Sequence, residues 1–343
     1  MGVIRLFLAL VVVVDHWRTI VLPPFDLPLE DQFKLGFNAG YAVLFFYVIS
    51  GYLITCSLST KGPADFYQKR FVRLFSLYWP VVLLVFILFP DVWQRFLAAD
   101  ALDKFTGLFL IGMDWRVAFA TYPTPYFGAA IGTLHQAWTL GAELLFYLVA
   151  PLLMRTWRIG AALLVASFGL RLCFVLQDGT DLQPVWTYHF VGTTFGFFML
   201  GHLACVFRKH LCNRFVGAAA LLASVASMAW GAYVSFDTPR FWISVVFFTL
   251  ALPGIFEMTR NVSWMNTLGD LSYPVYLTHM AVMSLAAPWV LQVTAPTTLD
   301  RGYLSIAVFA ALALLGAILV HRLLEMPTAI LMRRAMRRPV PAE

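Results

Sequence analysis

The sequence is broken into ten runs of about twenty predominantly apolar residues, each long enough to cross a bilayer core of about 30 Å as a helix. Few folds tolerate such a pattern. In hydrocarbon every backbone N–H and C=O must be paired within the protein, so a chain with repeated long spans folds as a helical bundle. The runs cover roughly 3–22, 37–58, 71–90, 134–154, 159–176, 188–207, 214–235, 241–258, 272–293 and 303–324. Composition agrees: 61% of residues are hydrophobic and 12% charged, against about 25% charged in a soluble domain. The expectation is an all-α, polytopic membrane bundle of about ten transmembrane helices, a single domain over 1–343 with 325–343 as a cytoplasmic tail. The first run lacks an Ala-x-Ala cleavage site and holds Arg5, Asp15 and His16, so it reads as a retained span and not a signal peptide.

The net charge is +6. In a soluble chain such a balance would suggest nucleic acid; here the positive-inside rule accounts for it, and no nucleic-acid partner is expected. One set of loops carries Arg5, Lys61, Lys69, Arg70, Arg73, Arg155, Arg158, Arg208, Lys209, Arg214, Arg260, Arg322 and the 333–338 arginines. The opposite set carries most acids: Asp26, Glu30, Asp31, Asp91, Asp100, Asp103, Asp114, Asp178, Asp181, Asp237 and Asp300. Both termini are therefore expected in the cytoplasm, which an even number of spans satisfies. Cys56, Cys173, Cys205 and Cys212 form no CxxC pair and no zinc spacing, and read as buried small residues. The long connection 91–133 is polar in patches and ends in Pro123, Pro125, Gly128 and Gly132. Within it Phe105 to Met113 is apolar but too short to span, which suggests an interfacial or re-entrant piece.

Ionisable side chains inside a membrane are costly and face a bundle interior or a wet cavity. Arg5 and His16 are eleven residues apart, or three turns plus about 20°, so they share one stripe of the first helix, separated by about 16 Å. Two readings stand: an anchor and an interfacial cap, or two functional groups. Asp15 is a partner candidate for His16, although adjacent residues on a helix point about 100° apart. Glu143 lies in the fourth span at a depth counted close to that of His16. It reads either as a structural hydrogen-bonding group or as a carboxylate that orients the imidazole and raises its basicity. Arg70 and Arg73, at i and i+3 in Phe66-Tyr67-Gln68-Lys69-Arg70-Phe71-Val72-Arg73, share a face. They are either a plain positive flank or a bidentate phosphate clamp. His279 shares a face with Tyr273 and Tyr276, and either lines a cavity or is packed and satisfied.

Together these residues resemble the membrane-bound acyltransferase family 3. The segments that carry the resemblance are Arg5 and His16 in the first span, Phe45-Phe46-Tyr47-Val48-Ile49-Ser50-Gly51-Tyr52-Leu53 in the second, and Arg70-x-x-Arg73. They continue with Ala137-Trp138-Thr139-Leu140 followed by Glu143 and Phe146-Tyr147, and end with Leu268-Gly269-Asp270-Leu271-Ser272-Tyr273-Pro274-Val275-Tyr276-Leu277-Thr278-His279. They occur in the family's order between residue 2 and about residue 327. The chain departs from the pattern in having Thr139 where the family usually has serine, which keeps a hydroxyl, and Leu144 where a second acid is common. It resembles the standalone form, without the C-terminal hydrolase-like domain of larger members.

The resemblance implies transfer of an acyl group, usually acetyl, from cytoplasmic acyl-CoA to a hydroxyl of a carbohydrate or lipid-linked glycan, in a bacterial inner membrane. On these residues the expected route has Arg70, Arg73 and Lys69, with neighbouring Tyr67, holding the phosphates of coenzyme A. The pantetheine arm passes Arg5, and the thioester reaches His16. There His16 acts as general base or as transient acyl carrier; Glu143 orients it, and Arg5 stabilises an oxyanion or a phosphate. Asp15, Trp138, Thr139, Tyr147 and His279 are expected near the acceptor. Acyl-CoA, the glycan and membrane lipids are the expected partners, and no metal is expected. A transporter or flippase is the rival from another class, and an acyl-CoA sensor that has lost catalysis is a third reading.

Overall fold

The computed structural model describes residues 1–25, 38–59, 62–118, 132–176, 185–229 and 237–336. Asp26, Glu30, Asp31, Lys61, Asp178, Asp181, Arg337, Arg338 and the 123–128 part of the outer connection lie outside them. Among the described residues the chain is helical and contains no strand. In order, the helices are α1 (Gly2–His16), α2 (Ala39–Leu58), α3 (Pro63–Leu88), α4 (Pro90–Ala98), α5 (Ala101–Phe109), α6 (Met113–Ala118), α7 (Trp138–Leu153), α8 (Trp157–Leu176), α9 (Val191–Val206), α10 (Arg208–Leu211), α11 (Arg214–Ala229), α12 (Pro239–Thr259), α13 (Ser263–Asp270), α14 (Ser272–Thr294), α15 (Leu299–Val320) and α16 (Met326–Ala335).

Seven helical stretches are long and apolar enough to cross a membrane: 39–58, 63–88, 134–153, 157–176, 239–259, 263–294 and 299–335. The other three expected spans coincide with α1, α9 and α11, which are shorter within the described residues. The connection 91–133 contains α4, α5 and α6, so the apolar stretch expected to be interfacial or re-entrant is helical as far as Phe109. Leu110 then turns the chain at a positive φ of 65°. Of the expected tail, α16 is helical and packs on α3.

The helices close up where small residues allow it. α2 and α9 cross at Gly51 and Gly201. A Cβ built on Gly51 would lie 1.9 Å from the Phe198 carbonyl oxygen, and one on Gly201 would lie 1.9 Å from that of Val48. This is the close backbone approach by which helices associate in lipid, where hydrophobicity alone does not drive them together. The same two helices are joined by a disulfide between Cys56 and Cys205, while Cys173 and Cys212 are free and exposed. The expectation of four buried small cysteines is thereby corrected; 149 residues separate the bonded pair, a distance over which spacing motifs carry no signal.

Five segments among the described residues depart from α-helical winding. Trp17–Val21, Val185–His189 and His321–Glu325 are π-helical, and Pro23–Phe25 and Gly132–Ala137 are 3-10 turns. The first π-helical segment continues α1, the second precedes α9, the third joins α15 to α16, and the second 3-10 turn leads into α7. Helices α1, α2, α3, α7 and α14 surround a cavity lined by several ionisable side chains.

Candidate active site

The cavity, partly open to the outside, lies between these five helices. α1 contributes Arg5. α2 contributes Phe46, Tyr47 and Ser50, α3 contributes Arg70 and Arg73, α7 contributes Thr139, Glu143 and Tyr147, and α14 contributes Ser272, Tyr273 and Tyr276. Six of the predicted residues from three parts of the sequence therefore share one space: Arg5, Arg70, Arg73, Thr139, Glu143 and Tyr147.

The three guanidiniums have different surroundings. Among the described residues the Arg5 side chain makes no hydrogen bond or ion pair, but it lies within electrostatic range of Arg73, Glu143 and Asp270. Arg70 stacks over the rings of Phe66 and Tyr147, at 5.5 and 5.4 Å from their centroids, with no acid bound to it. Arg73 stacks on Tyr273 at 5.5 Å and pairs through Nη1 with Glu325 at 3.2 Å, while its Nη2 has no partner. Glu325 also accepts from His321 Nδ1 at 2.6 Å. Three cations thus face one space whose lining holds a single carboxylate, Glu143, with Glu325 taken up by Arg73. Such a site favours a ligand with several negative charges.

Glu143 does not orient His16. Its Oε1 accepts from Ser50 Oγ at 2.7 Å and from the Tyr147 hydroxyl one turn away on α7. The depth count that matched it to His16 took the expected outer span ends, residues 22 and 134, to lie level; the structure brings the start of the fourth span, not Glu143, beside His16. His135, eight residues earlier, is the α7-side residue that meets His16, with ring centroids 5.8 Å apart.

His16 is instead held by α14. Its Nδ1 is 2.8 Å from Nε2 of His279, and the rings are stacked at 5.1 Å. His279 is fully buried, and its Nδ1 lies 2.7 Å from the carbonyl oxygen of Tyr276. The residues on either side of His16 are pinned to other helices. Asp15 pairs with Arg18 at 2.8 Å and accepts from the backbone N–H of Ala39 at 3.0 Å, beside the Asn38 side chain that accepts from Tyr41 N. Two otherwise orphaned donors at the start of α2 are satisfied in this way. Trp17 donates its indole N–H to Ser305 at 3.1 Å and stacks on Phe309. Three consecutive residues thus lock the end of α1 to α2, α14 and α15.

The cavity reaches the Thr139–Tyr276 pair, whose hydroxyls are 2.8 Å apart. His279 is next to Tyr276, with centroids 6.0 Å apart, and His16 is next to His279; neither histidine lines the cavity itself. Thr139 also donates to the Gln136 carbonyl, and Gln136 Nε2 donates to the Leu277 carbonyl at 2.7 Å, which ties the start of α7 to α14.

Several predicted residues fall elsewhere. Asp15 is the salt-bridged cap of α2 just described. Trp138 is buried edge-on against Tyr188 and His189. Lys69 is exposed, and Tyr67 spends its hydroxyl on the Leu148 carbonyl at 2.8 Å; neither lines the cavity. The residues that composition did not single out are Ser50, Tyr276 and Glu325. The first two are polar groups within segments already notable for their pattern, and the third is an acid in an otherwise basic flank.

Residues 1–322 match the acyltransferase domain of family 3. Nodulation protein 10 of Rhizobium leguminosarum bv. viciae is 31% identical over 314 residues, covering 84% of either chain. An O-acetyl transferase of Shigella phage Sf6 is 26% identical over 264 residues, covering 72% of this chain and 74% of its own. No solved structure matches the chain significantly. A family domain matched from the first residue to the end of α15, on a bundle of apolar helices around a charged cavity, shows that this integral membrane protein belongs to acyltransferase family 3.

Proposed function

We propose that the protein is an O-acyltransferase that moves an acyl group, most simply acetyl, from cytoplasmic acyl-CoA to a hydroxyl of a glycan or lipid-linked glycan, with His16 as the reacting histidine. The observation that carries this reading is the convergence of Arg5, Arg70 and Arg73 on one cavity that ends beside the His279–His16 pair. Coenzyme A carries phosphates at one end and a thioester at the end of a long arm. Arg70, with no acid bound to it, and the free Nη2 of Arg73 suit the phosphates. Arg5, on the same cavity, suits a further phosphate oxygen of the donor. His16 lies about 16 Å from Arg5 along α1, within the reach of the arm. It serves as base toward the acceptor hydroxyl or takes the acyl group itself. Glu143, bonded to Ser50 and Tyr147, balances the arginines. The O-acetyl transferase among the relatives supports an oxygen acceptor. A bacterial inner membrane, with the arginine-lined mouth toward the cytoplasm, fits the distribution of basic residues.

The test uses purified protein in lipid with radiolabelled acetyl-CoA and candidate glycans. Acceptor-dependent release of coenzyme A is the expected result. Replacing Arg70 and Arg73 together by alanine should weaken acetyl-CoA binding by roughly 10²-fold, two charge-assisted contacts being lost; an unchanged Kd contradicts the donor site.

A further inference from the structure

We infer that His279 is a positioning residue that holds His16 in the Nδ1–H tautomer and leaves Nε2 as its reactive nitrogen. The role deepens the proposed acyl transfer and rests on it. The backbone carbonyl oxygen of Tyr276 can only accept, so the His279 Nδ1 at 2.7 Å from it must carry a proton. His279 is fully buried, where a neutral ring is cheaper to hold than a charged one. A neutral ring protonated at Nδ1 has a bare Nε2, which can only accept. The group 2.8 Å from that Nε2 is His16 Nδ1, which must therefore be the donor. The neutral His16 is left with its lone pair on Nε2.

Uncoupled, a histidine exchanges between two tautomers, and the hydrogen bond made by one nitrogen decides which is present. The chain from the Tyr276 carbonyl through His279 to His16 supplies that bond from a rigid helix. Gln136 braces the same turn of α14 by donating to the Leu277 carbonyl. No carboxylate takes part. Asp15 is committed to Arg18 and Ala39, and Glu143 to Ser50 and Tyr147. Among the described residues, the ionisable groups facing His16 are His279, His135 and the adjacent Asp15; those facing His279 are His16, His135 and the Tyr276 phenol. A second imidazole here occupies the place that an acid fills in a Ser-His-Asp arrangement, and a neutral partner fixes the tautomer without adding charge to a buried site.

Nitrogen-15 spectra of the histidine-labelled wild-type protein, with His16 assigned by its loss in His16→Gln, read the tautomer directly. A protonated Nδ1 and bare Nε2 at neutral pH are expected; the reverse overturns the proposal. Kinetics supply a second readout. His279→Gln keeps an acceptor near the Nε2 position, so kcat should stay within about tenfold of wild type. His279→Leu removes the acceptor and should lower kcat roughly 10²-fold or more, at unchanged acetyl-CoA Kd. Equal kcat for the leucine variant and wild type overturns the proposal. Failure of the underlying reading looks different: His16→Ala would itself retain full turnover.

Discussion

Arg70 and Arg73 are one turn apart on α3, yet their surroundings separate their roles. Arg70 is held only by aromatic faces, and Arg73 is already paired with Glu325. Arg70→Ala should therefore raise the acetyl-CoA Kd about tenfold or more, with a smaller effect for Arg73→Ala. Arg73→Ala should instead lower stability by about 1–2 kcal/mol, because buried Glu325 loses its cation and keeps only His321. Calorimetric titration and thermal unfolding of the two variants separate these outcomes. A second residue-scale prediction concerns Asp114 on α6, outside the expected spans. Burial pushes its carboxyl up from 3.8 to about 6, against the weaker pull of the backbone N–H groups of Asp114 and Trp115. The folded state thus binds this proton more tightly than the unfolded state does. Stability should fall as pH rises from about 4 to about 6, and stay reduced above that range. Asp114→Asn should abolish this step and stabilise the protein at pH 8 by on the order of 2 kcal/mol, with no gain at pH 4. Unfolding midpoints measured across pH check the sign.

At the scale of elements, the α2–α9 crossing leaves no room for a side chain at Gly51 or Gly201. Gly201→Val should cost about 3 kcal/mol or more by forcing the helices apart. It should also reduce turnover, since α2 carries Ser50, Tyr47 and Phe46 into the cavity. Thermal unfolding in lipid and the acetyl-CoA assay measure the two effects. The helices themselves were legible in the sequence, because apolar runs of span length admit little else. The stripe joining Arg5 and His16 was legible too, because α1 is regular as far as His16. The partner of His16 was not. Matching depths across two helices assumes that their expected ends are level, and His135 rather than Glu143 stands beside His16. The π-helical segment from Trp17 breaks the 100° rule just past the site. Aromatic and hydroxyl partners such as Tyr276 and Ser50 carry no charge, so a search for ionisable residues passes over them.

For the whole molecule, the account requires the arginine-lined mouth and the acceptor side to lie on opposite faces of the membrane. The proposed orientation puts the Arg208–Leu211 end, and with it Cys212, in the cytoplasm. Cys212 is free and exposed. A membrane-impermeant thiol reagent, read by peptide mass spectrometry, should modify it in permeabilised cells and not in intact ones; modification in intact cells contradicts this orientation. The central claim is that a donor bound by arginines delivers its acyl group at His16. Its most direct measurement is single-turnover acyl transfer from radiolabelled acetyl-CoA by wild-type and His16→Ala protein in lipid, with donor binding measured on the same samples. The account predicts an unchanged acetyl-CoA Kd and a transfer rate lower by about 10²-fold or more, the contribution of a positioned base. A His16→Ala protein that binds the donor and transfers its acyl group at the wild-type rate would contradict it.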